Sequence, residues 1–202
     1  SKKPKEVSDM PQREKQVFLA EHNLHVCLSE LKRIKQAIKD GRLWEHLELR
    51  AHGHPTLLQA LKKLGKYEDF IEEHAPLVKG SGLFFFGSLG LIRPEVVRHR
   101  KRLKERYFKS RKTKILILMP QTLTKPFHKS MEFQKTTGLL KRITKERSNV
   151  VHICFYAAPF GVIPIDLDEV YPLSQHETVL PLDKETVEYV ANQVAEYIGR
   201  MN

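Results

Sequence analysis

Histidine and cysteine side chains near the N-terminus are the first candidates for chemistry, because both residue types bind metal ions. His22, His25 and Cys27 lie within six residues of one another. A structural zinc site needs about four nitrogen or sulfur ligands at close range, and the sequence contains no Cys-x-x-Cys pair. Spacing alone therefore predicts no metal site here.

A second candidate is the acidic cluster Asp166, Asp168 and Glu169, which lies between Phe160-Gly161 and Tyr171-Pro172. Two carboxyl groups can share general acid and base roles. The pattern favours the alternative, a helix N-terminal turn whose negative charge suits the helix dipole. The sequence lacks a glycine-rich phosphate loop, a nucleophile elbow and a His-Glu-x-x-His helix, which excludes the enzyme classes that depend on them.

A third candidate is a strongly basic segment. Between Arg98 and Lys114 there are ten Lys or Arg residues and one acid, Glu105, with Tyr107 and Phe108 interleaved. Cations along a helix can follow phosphates, and aromatic rings can stack on bases. The alternative is a solvated helix end followed by a linker.

The charge distribution agrees with a polyanionic partner. Residues 1–114 hold 26 basic and 14 acidic residues, so their net charge is +12, whereas residues 115–202 have a net charge of −1. Each phosphate that a basic surface neutralises releases condensed counterions. RNA is the natural partner, and a solubilising surface is the alternative.

Composition limits the class of protein further. The chain is 41% hydrophobic and 29% charged, as in ordinary soluble globular proteins, and no apolar run approaches the ~18 residues of a membrane span. With only Cys27 and Cys154, a disulfide framework is not expected, and a reducing cytoplasmic location fits.

The elements that must position these residues differ between the two parts of the chain. Residues 1–15 are polar and predict an extended or poorly ordered lead-in, and the apolar spacing from Leu28 predicts a helix that ends at Gly41. Pro55 and Pro94 suit the first positions of two further helices. Residues 83–86 predict a buried strand or an apolar core segment between glycines.

The second part predicts a small α/β domain. Two apolar runs, 115–119 and 150–158, flank a helical segment at about 130–145, which is the pattern of a βαβ unit with parallel strands. A last helix is predicted to begin at Asp183 as its N-cap.

Three stretches resemble the archaeal branch of the tRNA-guanine transglycosylases. Leu19-Ala20-Glu21-His22-Asn23-Leu24 is similar to the segment that follows the zinc-binding cysteines. Arg50-Ala51-His52-Gly53-His54-Pro55 and Leu91-Ile92-Arg93-Pro94-Glu95-Val96-Val97-Arg98 look like the first accessory domain. Ala158-Pro159-Phe160-Gly161-Val162-Ile163-Pro164 and Asp168-Glu169-Val170-Tyr171-Pro172-Leu173-Ser174-Gln175 are similar to the second.

The resemblance implies an α+β or α/β chain in three parts. Residues 1–52 would be the helical tail of a TIM barrel with its zinc region, residues 53–112 a small basic α+β accessory domain, and residues 113–202 a small α/β domain. It also implies a zinc cofactor for which His22 is the fourth ligand, with three cysteine ligands expected upstream of Ser1.

By the same resemblance, the whole enzyme exchanges guanine in the tRNA D-arm for 7-cyano-7-deazaguanine in archaeosine biosynthesis, through a covalent aspartate intermediate. The catalytic aspartates are expected upstream of Ser1, so this segment alone is expected to be inactive. Its implied partners are tRNA, the N-terminal catalytic barrel in the same or a separate chain, and a second copy in a homodimer, with no membrane. The candidate tRNA contacts are Arg93, Arg98, Arg100, Lys101, Arg102 and Lys104.

Two other functions remain open. One is a separately encoded tRNA-binding subunit or module. The other is the paralogous archaeosine synthase, whose Pro-Cys-Ser-Cys type of motif does not occur in this sequence.

Overall fold

A computed structural model describes residues 2–144 and 150–201. The chain divides into two compact units, Ser1–His46 and Leu47–Asn202. The segments predicted as two accessory domains, 53–112 and 113–202, therefore lie within one compact unit. The three-domain division stays a prediction.

The first unit is helical. Helix α1 spans Pro4–Ser8 and α2 spans Gln12–Lys39. The expectation of an extended lead-in over residues 1–15 was wrong, because Pro4 occupies the first helical turn and the Glu6 carboxylate accepts from the Lys3 backbone N–H at 3.0 Å. Gly41 follows α2 with φ +68°, so the predicted helix end is confirmed.

Helix α2 buries none of its residues, although it carries an apolar stripe. Val17, Leu24, Leu28, Leu31 and Ile38 recur at steps of three, four or seven residues and are each more than half exposed. Such spacing places them along one face of a helix. A continuous exposed apolar face of this kind is typical of an interaction surface.

The second unit begins with helices that the proline signals predicted. After α3 (Leu43–Ala51), helix α4 spans Pro55–Lys63 with Pro55 in its first turn, and His54 Nδ1 accepts from the Thr56 N–H. Helix α5 spans Glu68–His74 and α6 spans Pro94–Glu105, again with proline at the start. Strand β1 is Leu83–Phe85, as expected for the apolar run.

The βαβ prediction is confirmed. Strand β2 (Ile115–Pro120) pairs in parallel with β3 (Val151–Ala157), and α7 (Met131–Thr144) connects them. The predicted end of α7 at Lys145 lies outside the described residues. Strand β4 (Gly161–Pro164) adds an antiparallel edge, so the sheet is mixed.

A second small sheet joins distant parts of the sequence. Strand β1 pairs in parallel with β5 (His176–Thr178). Helix α8 spans Lys184–Met201, and Asp183 Oδ1 accepts from the Thr186 N–H at 2.9 Å, as predicted for an N-cap. The main core gathers side chains from β1, β2, β3, β4, α6 and the connecting loops, namely Leu83, Phe85, Val96, Met119, Phe127, Phe155, Ala157, Phe160, Ile163 and Leu173.

Candidate nucleic-acid interface

Helix α6 positions most of the predicted RNA-contacting cations. Its apolar residues Val96, Val97 and Leu103 are buried, and this fixes which of the intervening basic residues face the protein and which face solvent. Arg98, Arg102 and Arg106 are four residues apart, so they lie on one side of the helix and at its C-terminal end. Because the helix is fixed in the core, its cations differ sharply in their availability.

Arg93, immediately before α6, is fully buried. Its Nη1 donates to the Phe84 carbonyl at 3.0 Å, and its Nε lies 3.4 Å from Glu95 Oε2. The guanidinium also covers the ring of Phe85 at 4.9 Å. Lys79 forms a further ion pair with Glu95. Arg93 thus belongs to a buried ionic network that joins β1 to α6.

Arg98 is also turned into the protein. Its Nη2 donates to the carbonyls of Glu72 and Ala75 at 2.7 and 2.9 Å, and Nη1 donates to the Pro76 carbonyl at 2.9 Å. Its Nε pairs with Glu72 Oε1 at 2.7 Å. These carbonyls lie at the C-terminal end of α5, where the last turn of a helix leaves backbone carbonyls without partners inside the helix. Arg93 and Arg98 were predicted as tRNA contacts, but the fold uses both guanidinium groups internally.

Three further candidates are held by surface ion pairs. Arg100 pairs with Glu68 at 2.6 Å, and Lys104 with Glu196 at 2.8 Å. Lys101 pairs with Asp69 at 2.7 Å, and this hydrogen bond raises the pKa of Lys101. The Lys104–Glu196 pair is exposed on both sides, and pairs of this kind contribute at most about 1 kcal/mol. A phosphate can therefore replace the carboxylate on Lys104 at little cost.

Arg102 and Arg106 have the most available guanidinium groups on this helix. Both side chains are exposed, and neither has an ion pair among residues 2–144 and 150–201. Arg111, Lys112 and Lys114 continue the exposed basic surface beyond the helix. The sequence prediction included Arg102 but omitted Arg106, although the four-residue spacing places the two side chains together.

A cavity of about 240 Å³ lies between α6 and the loop 167–173. Arg102, Arg106 and Tyr107 contribute one wall, and Val170 and Tyr171 contribute part of the other. Sequence reasoning missed this cavity, because its two walls are about 60 residues apart in the chain.

The acidic cluster has a structural arrangement. Asp168 is fully buried, and its Oδ2 accepts from both the backbone N–H and the Nδ1 of His128 at 2.9 Å. Asp166 accepts from the Tyr107 hydroxyl at 2.9 and 3.0 Å. The two carboxylates thus bind different partners and fix the loop that forms one wall of the cavity.

A buried Cys-His pair was not noticed in the sequence. Cys154 Sγ lies 3.1 Å from His152 Nε2, and the Tyr197 hydroxyl lies 2.8 Å from the same nitrogen. Burial raises the pKa of the Cys154 thiol to about 12 and lowers the pKa of His152. The thiol therefore stays protonated at neutral pH, which excludes it as an activated nucleophile.

The comparisons with known proteins agree across both units. Residues 96–202 match the family model described as "Domain of unknown function (DUF5591)", and residues 2–56 match "Queuine tRNA-ribosyltransferase". A tRNA-guanine(15) transglycosylase of Methanocaldococcus jannaschii is 42% identical over 86% of this chain. Those of Pyrobaculum aerophilum and Methanobrevibacter smithii are 41% and 35% identical over 86% and 96% of the chain.

The chain belongs to the archaeal tRNA-guanine transglycosylase family. It spans about a quarter to a third of the length of these relatives, 24% for Methanocaldococcus jannaschii and 33% for Pyrobaculum aerophilum. The two family models fit the C-terminal part of the archaeal enzymes. The match to the transglycosylase model covers α1, α2 and α3, and the second match covers most of α6 and all that follows.

In the family context, His22 is the residue of greatest interest in α2. Its side chain is exposed. Within the described ranges, no group of three or more His, Cys, Asp or Glu side chains is placed to hold a metal ion. His22 therefore offers one imidazole, and the described residues do not complete a tetrahedral site around it. Over the same ranges, no helix has the length and apolar character needed to cross a membrane.

Two buried histidines predict how the stability of this transglycosylase segment depends on pH. Burial lowers the pKa of His99 to about 4 and that of His176 to about 3. Both values lie below the ~6.5 of an unfolded histidine, so protonation favours the unfolded chain. The stabilisation is complete above about pH 6.5 and is lost as the pH falls towards the folded pKa values. When the pH falls from 7 to 5, each histidine should lower the free energy of unfolding by about 2 kcal/mol.

Urea unfolding at pH 7 and pH 5 measures this loss, and His99→Gln isolates one contribution. The glutamine amide can still donate to the Val162 carbonyl, which lies 2.7 Å from His99 Nε2. We expect the variant to lose about 2 kcal/mol less than the wild-type chain over this interval. Equal losses in the two proteins would show that His99 does not titrate on unfolding.

Proposed function

We propose that this chain is the tRNA-contacting C-terminal portion of a tRNA-guanine(15) transglycosylase. The observation that carries the proposal is the similarity to enzymes of that name, which extends over 85% or more of the chain and through both compact units. The exposed cations after the middle of α6 give the segment a surface suited to RNA. We place its activity in the cytoplasm.

The whole enzyme would replace guanine in the D-arm of tRNA with 7-cyano-7-deazaguanine, a step of archaeosine biosynthesis. In this proposal the aspartates that attack and protonate lie in the part of the family outside the matched segment. The contribution of this chain is binding and orientation of the tRNA. Holding the RNA in one register lowers the entropic cost of presenting a single nucleoside to the catalytic carboxylates.

The first unit would join this segment to the catalytic barrel. We propose that the exposed apolar stripe of α2 packs on the barrel, since burying it there would remove five large side chains from water. His22 would complete a zinc site with three cysteines of that barrel region, and zinc would then fasten the helical tail in place. A second copy of the enzyme is the remaining proposed partner, in a homodimer.

The proposed tRNA contacts follow from exposure. Arg93 and Arg98 are left out because their guanidinium groups are occupied inside the protein. The groups available to phosphates are the unpaired Arg102 and Arg106, the surface-paired Arg100, Lys101 and Lys104, and the exposed residues Arg111, Lys112 and Lys114.

Changing Arg111, Lys112 and Lys114 together to glutamine tests the RNA-binding surface. Each phosphate contact contributes about 0.9 to the slope of log affinity against log salt. We therefore expect the slope to fall by about 2.7 and the affinity for a tRNA transcript to fall roughly 30-fold or more at moderate salt. Fluorescence anisotropy over a series of salt concentrations measures both quantities.

The matched control changes Lys129, Lys135 and Lys184 to glutamine, which removes the same charge from exposed positions elsewhere in the second unit. We expect this control to bind tRNA nearly as tightly as the wild-type chain. Equal weakening by both triple variants would reduce the effect to net charge and contradict a defined RNA surface. A chain that binds tRNA strongly but never associates with a barrel protein would favour the separate RNA-binding module.

A further inference from the structure

The cavity beside α6 is lined by two arginines without ion pairs in the described part of the chain, Arg102 and Arg106, and by two tyrosines, Tyr107 and Tyr171. Its volume is about 240 Å³, below the ~300 Å³ at which sites for drug-sized ligands begin. The space suits one planar ring system and excludes a pair of stacked bases. Its position next to the exposed basic surface makes it accessible from the proposed RNA side.

The charges around the cavity favour an anion. Arg102 and Arg106 lie one helical turn apart on its wall and have no ion pair in the described part of the chain. Glu95 is the acid in the lining, and it is already paired with Lys79 and Arg93. Burial keeps His99 neutral by lowering its pKa to about 4. The two free guanidinium groups are therefore not neutralised, and their planar forks match a phosphate.

The tyrosines of the lining are held by their hydroxyl groups. Tyr107 donates to Asp166 at 2.9 Å, and its ring stacks on His152 with 5.9 Å between centroids. The Tyr171 hydroxyl donates to the Ser81 carbonyl at 3.4 Å. Rings that are already ordered lose little conformational freedom when a ligand binds. A base that enters such a cavity can stack on an aromatic face without sequence-specific hydrogen bonds.

We propose that this cavity binds one unstacked nucleotide of the RNA, with the base against the Tyr107 and Tyr171 rings and a phosphate on Arg102 and Arg106. This inference rests on the proposed function for the identity of the macromolecule. It assigns to the accessory segment a pocket for a nucleotide that is not the one exchanged. Such a contact would anchor the tRNA through a base that leaves its stack, in addition to the salt-sensitive phosphate contacts.

A titration with guanosine monophosphate tests the cavity directly in the full 202-residue chain labelled at tyrosine. We expect saturable shifts of the Tyr107 and Tyr171 ring signals. The double variant Arg102→Gln, Arg106→Gln should weaken this binding at least tenfold. The control variant Lys129→Gln, Lys135→Gln removes the same charge from exposed residues outside the cavity lining and should bind the nucleotide like the wild-type chain. Shifts that do not saturate, or that survive the first double variant, overturn the proposal.

A filled cavity gives a test that leaves every cation in place. Val170 lines the cavity and is half exposed, so Val170→Trp should occupy the space without disturbing the core. Leu77→Trp is the second such variant, because Leu77 is also exposed and lines the cavity. We expect either change to lower tRNA affinity about tenfold and to abolish the nucleotide-induced shifts, with an unchanged urea midpoint.

The tRNA and nucleotide measurements separate the two proposals. If the wild-type chain binds no tRNA, the proposed function fails, and the titration with guanosine monophosphate still decides whether the cavity holds a nucleotide. If tRNA binds, and the Arg102/Arg106 and tryptophan variants bind it as tightly as the wild-type chain, the cavity proposal alone fails.

Discussion

Replacing Arg93 with methionine is expected to lower the free energy of unfolding of the Leu47–Asn202 unit by about 3–5 kcal/mol, the usual cost of removing one partner from a buried ion pair. Methionine retains an unbranched apolar stem but removes all donors. The Phe84 carbonyl would lose the hydrogen bond that Arg93 Nη1 donates at 3.0 Å. Glu95 would lose the Arg93 guanidinium and keep its ion pair with Lys79. Urea unfolding measures the change.

Arg102→Met is the matched control, since Arg102 lies on the same helix but is exposed and unpaired. Its cost should stay within about 0.5 kcal/mol, as for most surface substitutions. The double variant Arg93→Met, Glu95→Met should recover part of the lost stability, because it removes the buried carboxylate together with its partner. Similar costs for Arg93→Met and Arg102→Met would contradict the structural role of Arg93.

The regular elements of the second unit were the most predictable part of the fold. Pro55 and Pro94 marked helix starts because proline fixes a helical φ and needs no N–H partner in the first turn. The apolar runs of β2 and β3 indicated parallel strands because both faces of such a sheet are covered. The N-terminal helices were harder to predict, because their composition is polar. The short helix that starts at Pro4 and the start of α2 at Gln12 were both missed.

The roles of individual cations could not be predicted from the basic segment. A run of Lys and Arg shows the total charge, whereas burial depends on partners that are distant in sequence. Glu72, which binds Arg98, is 26 residues away, and the β1 carbonyl that binds Arg93 belongs to another element. Arg98 and Arg102 lie one helical turn apart, yet the Arg98 guanidinium is buried on the carbonyls at the end of α5, whereas Arg102 is exposed.

The cavity and the burial of the Cys154-His152 pair could not be predicted from the sequence, for the same reason. Their members come from α6, β3, α8 and the loop 167–173, and these elements meet only through the tertiary fold. His152 and Cys154 stand two residues apart, which on a strand places both side chains on one face. That spacing was a usable signal, although burial of the pair depends on Tyr197 from the last helix.

The largest functional effect is expected for guanine exchange, because the proposal assigns bond cleavage entirely to residues outside this chain. The chain alone should incorporate no labelled guanine into tRNA. A chimera can be made by replacing the matching segment of the Methanocaldococcus jannaschii enzyme, a relative at 42% identity, with this chain. We expect that chimera to be active. The same enzyme without any such segment should be at least tenfold less active, since RNA positioning contributes several kcal/mol to an oriented reaction.

Incorporation of labelled guanine into a tRNA transcript, compared among these three proteins, is the most direct measurement. The account predicts exchange by the chimera, at least a tenfold loss in the truncated enzyme, and none by the isolated chain. Exchange by the isolated chain, or a chimera no more active than the truncated enzyme, would contradict it.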